Sequence, residues 1–307
     1  MRFDLAVAPG GYAWWYLDAL SDDGQNGLTM IAFIGSVFSP YYAWSGRHDP
    51  LNHCSINVAL YRPRAGRWAM TERGRQRVEA TPDRFKVHNS ALSWDGTKLT
   101  IDVHERCAPI PFPLRGRITV NVDGLVEEAF PLDDAKAHRW APLNPNTDVQ
   151  VDFSHPGLSW RGCGYLDSNQ GAEPLEDGFR LWDWSRYDLG GGETAVLYNT
   201  EPRTGKGRSL ALKFKPDGRA EAFTLPPTSK LPDTRIWRIP RPTRSDPGAA
   251  PRHIRTFEDT PFYARSLVQV PLLGAPRVGV YESFAGDRLR RQIVKAMLPF
   301  RMPRLAN

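Results

Sequence analysis

The chain has 307 residues, of which 41% are hydrophobic and 24% are charged, and its net charge at pH 7 is +6. This balance excludes a disordered chain, and the length indicates either two domains or one large all-β domain. The basic residues are not interleaved with aromatic residues as in a nucleic-acid-binding module, so we expect no nucleic-acid partner.

The cysteines and the apolar segments indicate in which cellular compartment the protein is expected. Cys54, Cys107 and Cys163 form no CxxC pair and are odd in number, which favours free thiols in a reducing compartment. The sequence starts without the apolar stretch of a secretory signal. The longest apolar run, residues 28–44, is interrupted by small and polar residues and is predicted to be a buried strand and a turn. We therefore expect a cytoplasmic protein without a membrane span.

The first predicted element is an aromatic-rich hairpin. A strand at residues 12–20 places Trp14, Tyr16 and Asp18 on one face, because side chains two positions apart leave a strand on the same side. A dense turn cluster then leads to a second strand, at residues 28–38, that is apolar on both faces. Asp18 is a candidate buried acid, but its place near the strand end favours a solvated aspartate that starts the turn.

Short strands separated by glycine, proline, asparagine and aspartate follow along most of the chain. This spacing is typical of antiparallel hairpins in a β-sandwich or β-barrel, so we predict an all-β fold class. We place an N-terminal β domain at residues 1–155 and a C-terminal β domain at residues 156–307. The further predicted strands cover residues 54–61, 98–104, 116–122, 149–153, 194–198, 209–214, 220–225 and 267–270.

Helical periodicity appears only near the end of the chain, at residues 287–298. Asp287 is a candidate N-cap, and Pro299 stops the predicted helix. The polar side of this helix and the residues after it are rich in arginine. A basic amphipathic helix is typical of a membrane-surface anchor, but a short terminal helix docked on a barrel fits the same pattern.

Two short strand-like stretches carry the clearest chemical signal. His138 and Trp140 lie two apart in the first, and Tyr165 and Asp167 lie two apart in the second, so each pair shares one side of its strand. If both sides line one pocket, it holds a carboxyl group, an imidazole and two aromatic walls. That set suits protonation of a carbon–carbon double bond and stabilisation of the resulting cation. In this interpretation His138 hydrogen-bonds the carboxyl group or takes the proton from the incoming water. The structural alternative is that Asp167 opens a turn and His138 is a core histidine with satisfied hydrogen bonds.

Other motifs are less specific. Trp182 and Trp184 form another same-face aromatic pair, which fits either a ligand wall or packing between sheets. His48 and His53 do not have the spacing of a zinc site, and residues 204–207 lack the flanks of a phosphate-binding loop. The chain also has no GxSxG elbow. We therefore expect no metal and no nucleotide or redox cofactor.

Six sequence blocks, in order along nearly the whole chain, are distinctive when taken together. They are GGYAWWYLDALSDDGQNGLTMIAFIGSVFSPYYAWSGR (Gly10–Arg47), MTERG (Met70–Gly74), HRW (His138–Trp140), GCGYLDSNQG (Gly162–Gly171), RLWDWSR (Arg180–Arg186) and EDTPFYARS (Glu258–Ser266). Together these blocks resemble the carotenoid 1,2-hydratases, also called hydroxyneurosporene synthases or acyclic carotenoid hydratases.

The resemblance implies two lipocalin-like β-barrel domains and a cofactor-independent hydro-lyase. It also implies addition of water across the terminal C1=C2 double bond of acyclic carotenoids such as neurosporene and lycopene, in spheroidene or spirilloxanthin biosynthesis. The family's His-x-Trp and Tyr-x-Asp set maps onto His138, Trp140, Tyr165 and Asp167, with Asp167 as the proton donor.

Further expectations follow from this resemblance. Trp14, Tyr16, Trp182 and Trp184 are candidate substrate-binding residues. Because carotenoids lie in the bilayer, we expect peripheral association with the cytoplasmic side of the inner, photosynthetic membrane. Two other functions stay open: a lipocalin-like carrier of an apolar polyene, and an acid-initiated terpenoid cyclase in which a neighbouring double bond captures the cation.

Overall fold

The computed structural model describes residues 1–248 and 250–305 and consists mainly of antiparallel β-sheet, which confirms the all-β fold class. The chain forms two compact units. The first contains Met1–Phe130, His138–Pro174 and the segment that begins at Lys295. The second contains Pro131–Ala137 and Leu175–Val294.

The first unit is built on one long antiparallel sheet. The strands up to residue 171 are β1 (Tyr12–Ser21), β2 (Gly27–Ile34), β3 (Ser55–Tyr61), β4 (Arg67–Met70), β5 (Glu72–Arg73), β6 (Val78–Ala80), β7 (Arg84–Val87), β8 (Ser90–Trp94), β9 (Lys98–Arg106), β10 (Pro113–Asn121), β11 (Phe130–Pro131), β12 (His138–His155) and β13 (Leu158–Gly171). The strand order along the sheet is β4-β3-β2-β1-β13-β12-β10-β9-β8-β7-β6.

One face of this sheet forms the hydrophobic core of the first unit. In β1, the alternate residues Ala13, Trp15 and Leu17 are buried in that core. Leu166 in β13 joins the same cluster. The residues between them in β1 and β13 therefore point to the opposite face, because successive side chains alternate across a strand. That opposite face carries the chemistry described below.

The second unit contains a seven-stranded antiparallel sheet and a separate two-stranded pair. The remaining strands of the chain are β14 (Phe179–Gly190), β15 (Glu193–Pro202), β16 (Ser209–Phe214), β17 (Ala220–Ala222), β18 (Thr228–Leu231), β19 (Arg241–Arg244), β20 (Arg252–Asp259), β21 (Tyr263–Leu272), β22 (Ala275–Ala285) and β23 (Arg304–Leu305). The large sheet has the order β17-β16-β15-β14-β22-β21-β20, and its core includes Tyr187, Leu197, Val268 and Tyr281. Strand β23 pairs with β5 in the first unit.

The boundary between the two units lies after Pro174, whereas the sequence analysis placed the domain boundary at residue 155. Strand β13 pairs antiparallel with both β1 and β12, so its hydrogen bonds hold it in the middle of the first sheet. The second unit begins its main run after Pro174. Composition and turn signals do not reveal this boundary, because β13 lies beyond the midpoint of the sequence but completes the first sheet.

The hairpin strand predicted to reach residue 38 ends earlier, at Ile34. Gly35 has φ +62, and a Cβ added there would lie 2.7 Å from the carbonyl oxygen of Gly11. A positive φ departs from the extended backbone of a strand, so β2 ends before Gly35. Glycine adopts this left-handed conformation readily, whereas residues with a Cβ rarely do. The chain then turns into a short helix, α1 (Pro40–Trp44), capped by the Ser39 side chain.

The predicted helix over residues 287–298 is instead two shorter α-helices, α3 (Gly286–Leu289) and α4 (Gln292–Met297). One more short α-helix, α2 (Leu175–Gly178), precedes β14. The N-cap of α3 is Ala285 and not Asp287. The Asp287 carboxylate pairs with Arg203 instead. Leu289 and Val294 are both buried. They would lie about 140° apart around one continuous helix, and the interruption between α3 and α4 allows both to be buried.

Candidate active site

The two predicted pairs of site residues lie on one face of two neighbouring strands, with a third strand, β1, beside them. Strands β12 and β13 are adjacent, and β13 also pairs with β1. The register places His138 opposite Gly171 and Trp140 opposite Asn169. It also places Asp167 opposite Tyr16. Directly paired residues of antiparallel strands share a face, so the sheet brings the two pairs together on the side away from the hydrophobic core.

Asp167 sits in a buried cluster with two aromatic donors. The indole Nε1 of Trp140 donates to Oδ2 of Asp167 at 2.9 Å, and the hydroxyl of Tyr165 donates to the same oxygen at 3.1 Å. Trp140 Nε1 also lies 3.2 Å from the Tyr165 hydroxyl. Burial raises the pKa of Tyr165 well above its usual value, and the Asp167 charge adds to the rise. Tyr165 therefore keeps its proton and remains a donor to Asp167.

The imidazole of His138 is held at both nitrogens. Nδ1 lies 2.8 Å from the hydroxyl of Tyr12, and Nε2 lies 3.3 Å from a carboxylate oxygen of Glu173. The carboxylate can only accept, so Nε2 donates to it. Tyr12 in turn stacks on Trp14, with ring centroids 4.9 Å apart. The ring of His138 is thus fixed in orientation by groups on β1 and just after β13.

Gly171 is a site residue that the sequence analysis missed. A Cβ at this position would lie 2.3 Å from Cε1 of Tyr12 and 2.7 Å from Nδ1 of His138. Only glycine leaves room for the Tyr12–His138 hydrogen bond across this strand. The available signal was a glycine at the end of the GCGYLDSNQG block, but its partner Tyr12 lies far away in the sequence.

The expectation that Asp18 is solvated is wrong. Strand β1 continues to Ser21, so Asp18 lies inside the strand, and it is only 1% exposed. The hydroxyl of Tyr16 donates to its Oδ2 at 3.1 Å. The ring of Tyr16 packs edge-to-face against Tyr165, with centroids 6.3 Å apart. A second buried carboxyl group thus shares the face that carries Asp167.

The four candidate substrate-binding residues fall into two sets. Trp14 and Tyr16 lie on the same face of β1 as the Asp167 cluster, and Trp14 packs edge-to-face against Phe33. Trp182 and Trp184 are buried in β14 of the second unit. Trp182 contacts the aromatic rings of Tyr198, Tyr263 and Phe284 in that unit.

Within residues 1–248 and 250–305, no cluster of three or more histidine, cysteine, aspartate or glutamate side chains is arranged to hold a metal ion. The three cysteines are free thiols. Burial raises the pKa of Cys54 far above its usual value, which makes that thiol unreactive. The side chains on this face that can take part in chemistry are carboxyl, imidazole, phenol and indole groups.

Comparison with known proteins gives a consistent family assignment. The model of the family described as carotenoid hydratase CrtC matches residues 30–307. Acyclic carotenoid 1,2-hydratase of Thiocapsa roseopersicina is 54% identical over 100% of this chain and 76% of its own length. The Rubrivivax gelatinosus protein of the same name is 46% identical over 99% of the chain and 76% of its own length. The one from Cereibacter sphaeroides is 40% identical over 90% of the chain and 98% of its own length.

Solved structures show the same fold at low sequence identity. Kievitone hydratase from Nectria haematococca superposes with a TM-score of 0.57 at 9% identity, over 93% of this chain and 98% of its own. CghA with Sch210972 gives a TM-score of 0.53 at 13% identity, over 93% and 94% of the two chains. The family match, in contrast, rests on high identity along almost the whole sequence. This chain belongs to the carotenoid hydratase family.

Proposed function

We propose that this protein is an acyclic carotenoid 1,2-hydratase, which adds water across the terminal C1=C2 double bond of neurosporene or lycopene. The observation that carries the proposal is the buried Trp140–Tyr165–Asp167 cluster on an aromatic sheet face. Relatives that are 54% and 46% identical are acyclic carotenoid 1,2-hydratases. The products are 1-hydroxy carotenoids of the kind used in spheroidene or spirilloxanthin biosynthesis.

The first step is proton transfer to carbon. Asp167, in its protonated form, gives its proton to C2, and the π electrons of the double bond form the new C–H bond. The positive charge then lies at C1, where three carbon substituents make the cation tertiary. The Trp140 and Tyr165 rings present electron-rich faces that attract such a cation. Their N–H and O–H groups also stabilise the carboxylate that Asp167 becomes.

The second step is capture of the cation by water. The water oxygen forms a bond to C1 and loses one proton, which gives the 1-hydroxy product. His138 helps to order this part of the site through its hydrogen bonds with Tyr12 and Glu173. Every step uses side-chain acids, bases and π faces, so the mechanism needs no cofactor.

A bacterium that accumulates lycopene or neurosporene provides the test. We expect cells that express this protein to contain a pigment heavier by one water, detected by chromatography and mass spectrometry, and cells without the gene to lack it. Unchanged pigment in the presence of folded protein would contradict the proposal. A polyene that copurifies unchanged would indicate a carrier, and a cyclic product of unchanged mass would indicate a terpenoid cyclase.

We further propose that the protein docks peripherally on the cytoplasmic side of the inner, photosynthetic membrane, where its substrate resides. Among the described residues, no helix is long and apolar enough to span a bilayer. The C-terminal segment supports peripheral docking because it carries a strip of sequence with three exposed apolar residues, Ile293, Met297 and Phe300. Burying such a side chain gives about 1.5–3 kcal/mol. Basic residues flank these positions in the sequence: Arg290, Arg291, Lys295 and Arg301.

Substitution of the exposed strip tests this docking without truncating the chain. Truncation would also remove Arg304, which pairs with the buried Glu72. We expect Ile293→Glu and Phe300→Glu to weaken cosedimentation with anionic lipid vesicles. The matched control is Ile236→Glu, because Ile236 is equally exposed at 73% but lies in another segment. Equal binding of all three variants and the unmodified protein would rule out the strip as the docking surface.

A further inference from the structure

We propose that Asp18 is the second catalytic carboxyl group of this site and accepts the proton that the attacking water loses. This proposal rests on the hydratase function proposed above and assigns a residue to its second step. Asp167 and Asp18 would then divide acid and base work between them, as pairs of carboxyl groups do in other enzymes that add or remove water.

The strand register places Asp18 next to the reacting groups. Asp18 is paired directly with Tyr165, and Tyr16 is paired directly with Asp167. The two carboxyl groups are therefore diagonal neighbours on adjacent antiparallel strands, a relation that separates residues by about 7–8 Å. Carboxyl pairs that act on one water in other enzymes lie about 6.5–9.5 Å apart, and the diagonal register is compatible with a separation in this range.

A tyrosine hydroxyl donates a hydrogen bond to each of the two carboxyl groups. Tyr165 donates to Asp167 at 3.1 Å, and Tyr16 donates to Asp18 at 3.1 Å. The two rings meet edge-to-face. A phenol donor stabilises the ionised form of its carboxyl group and fixes its orientation. In the proposed steps the ionised form is that of Asp18 before it accepts the proton and that of Asp167 after it has given its proton to C2.

The chemistry of hydration requires such an acceptor. Water that bonds to a cation carries an excess proton, which must leave for a base. Both nitrogens of His138 already face hydrogen-bond partners, Tyr12 and Glu173. The register also places His138 opposite Gly171, four residues along β13 from Asp167. Asp18, in contrast, is diagonal to Asp167 on the neighbouring strand.

The steps balance in atoms and electrons. The O–H bond of Asp167 breaks and a C2–H bond forms, then a C1–O bond forms and an O–H bond of water breaks as Asp18 takes the proton. The sum is addition of one water to one double bond. At the end Asp167 is ionised and Asp18 is protonated, and exchange with solvent water returns both to their starting forms.

The test compares Asp18→Asn with Asp167→Asn in D2O, with purified full-length protein and lycopene or neurosporene as the probe. Without the base, the cation still forms but returns to the alkene by losing a proton from C2. We expect Asp18→Asn to reduce hydration by about 100-fold or more but to leave deuterium exchange into the recovered substrate. Asp167→Asn should lose both reactions, because neither proceeds without proton transfer to C2.

Two further variants keep the test decisive. Glu105→Gln is the matched control, since Glu105 is another buried carboxyl group of the first unit, on β9. It should hydrate at the unmodified rate. Asp18→Glu retains a carboxyl group and should regain part of the lost rate, which a purely structural role for the aspartate would not predict.

The outcomes separate this proposal from the hydratase proposal. Absence of hydration by the unmodified protein would overturn the hydratase function itself. Normal hydration by the unmodified protein and by Asp18→Asn would overturn the role of Asp18 alone. Loss of both hydration and deuterium exchange in a folded Asp18→Asn variant would also overturn it, because a missing base does not prevent protonation of C2.

Discussion

Glu105 lends itself to a quantitative prediction of how stability depends on pH. Its carboxyl group is buried in β9 and accepts a hydrogen bond from Ser90 at 2.8 Å. Burial raises the pKa of Glu105 to about 7 from an ordinary value of 4.5, and the Ser90 hydrogen bond offsets only part of that rise. The difference corresponds to about 3 kcal/mol of folding free energy.

The sign follows from proton binding. The folded protein holds the Glu105 proton more tightly than the unfolded chain does, so the contribution to stability is complete below pH 4.5. It is lost as the pH rises through 7. Glu105→Gln has no proton to lose at this position. The stability of the variant relative to the unmodified protein should therefore rise by about 3 kcal/mol between pH 4 and pH 8.

Urea denaturation at a series of pH values measures this difference. The free energy of unfolding is determined for both proteins at each pH, and the difference between them removes the contributions of all other titrating groups. A difference that increases between pH 4.5 and 7 supports the assignment. Parallel curves for the two proteins would show that the pKa of Glu105 is the same in the folded and unfolded chains, contrary to this prediction.

Substitutions at three positions of the site give further predictions. Trp140→Phe should keep more hydration activity than Trp140→Ala, because a ring remains, and equal rates would assign the effect to the lost N–H bond to Asp167 instead. Tyr12→Phe should lower the hydration rate because it removes the 2.8 Å hydrogen bond to His138, and it should change the unfolding free energy by about 1 kcal/mol. An unchanged rate would show that this hydrogen bond does not position His138 for the reaction. Gly171→Ala should lower the rate further, since its Cβ would press on Tyr12 and His138, and normal kinetics with a normal melting temperature would contradict this steric argument.

Local rules predicted which of the candidate side chains share a strand face. The two-residue spacing of His138 with Trp140, and of Tyr165 with Asp167, correctly indicated that each pair shares a strand face. Turn residues and short apolar runs correctly indicated an all-β fold. These features depend only on the alternation of side chains and on backbone preferences within a few residues, and both can be read directly from the sequence.

Long-range pairing could not be predicted in the same way. Tyr12 and His138 are separated by 126 positions, and Gly171 is required only because β1, β13 and β12 meet side by side. Asp18 was expected to be solvated because aspartate often begins a turn, but strand β1 continues past it and the sheet buries it. The C-terminal helix was predicted as continuous because hydrophobic periodicity does not reveal the interruption between α3 and α4 that lets Leu289 and Val294 both be buried.

The proposed delivery of the first proton by Asp167 is tested by the hydration rate of purified protein with lycopene or neurosporene. This rate is measured for the unmodified protein, Asp167→Asn and Asp167→Glu. We expect Asp167→Asn to fold with an unchanged circular dichroism spectrum and to lose hydration by about 100-fold or more, while Asp167→Glu keeps measurable turnover. Hydration by folded Asp167→Asn at the unmodified rate would show that Asp167 is not the proton donor.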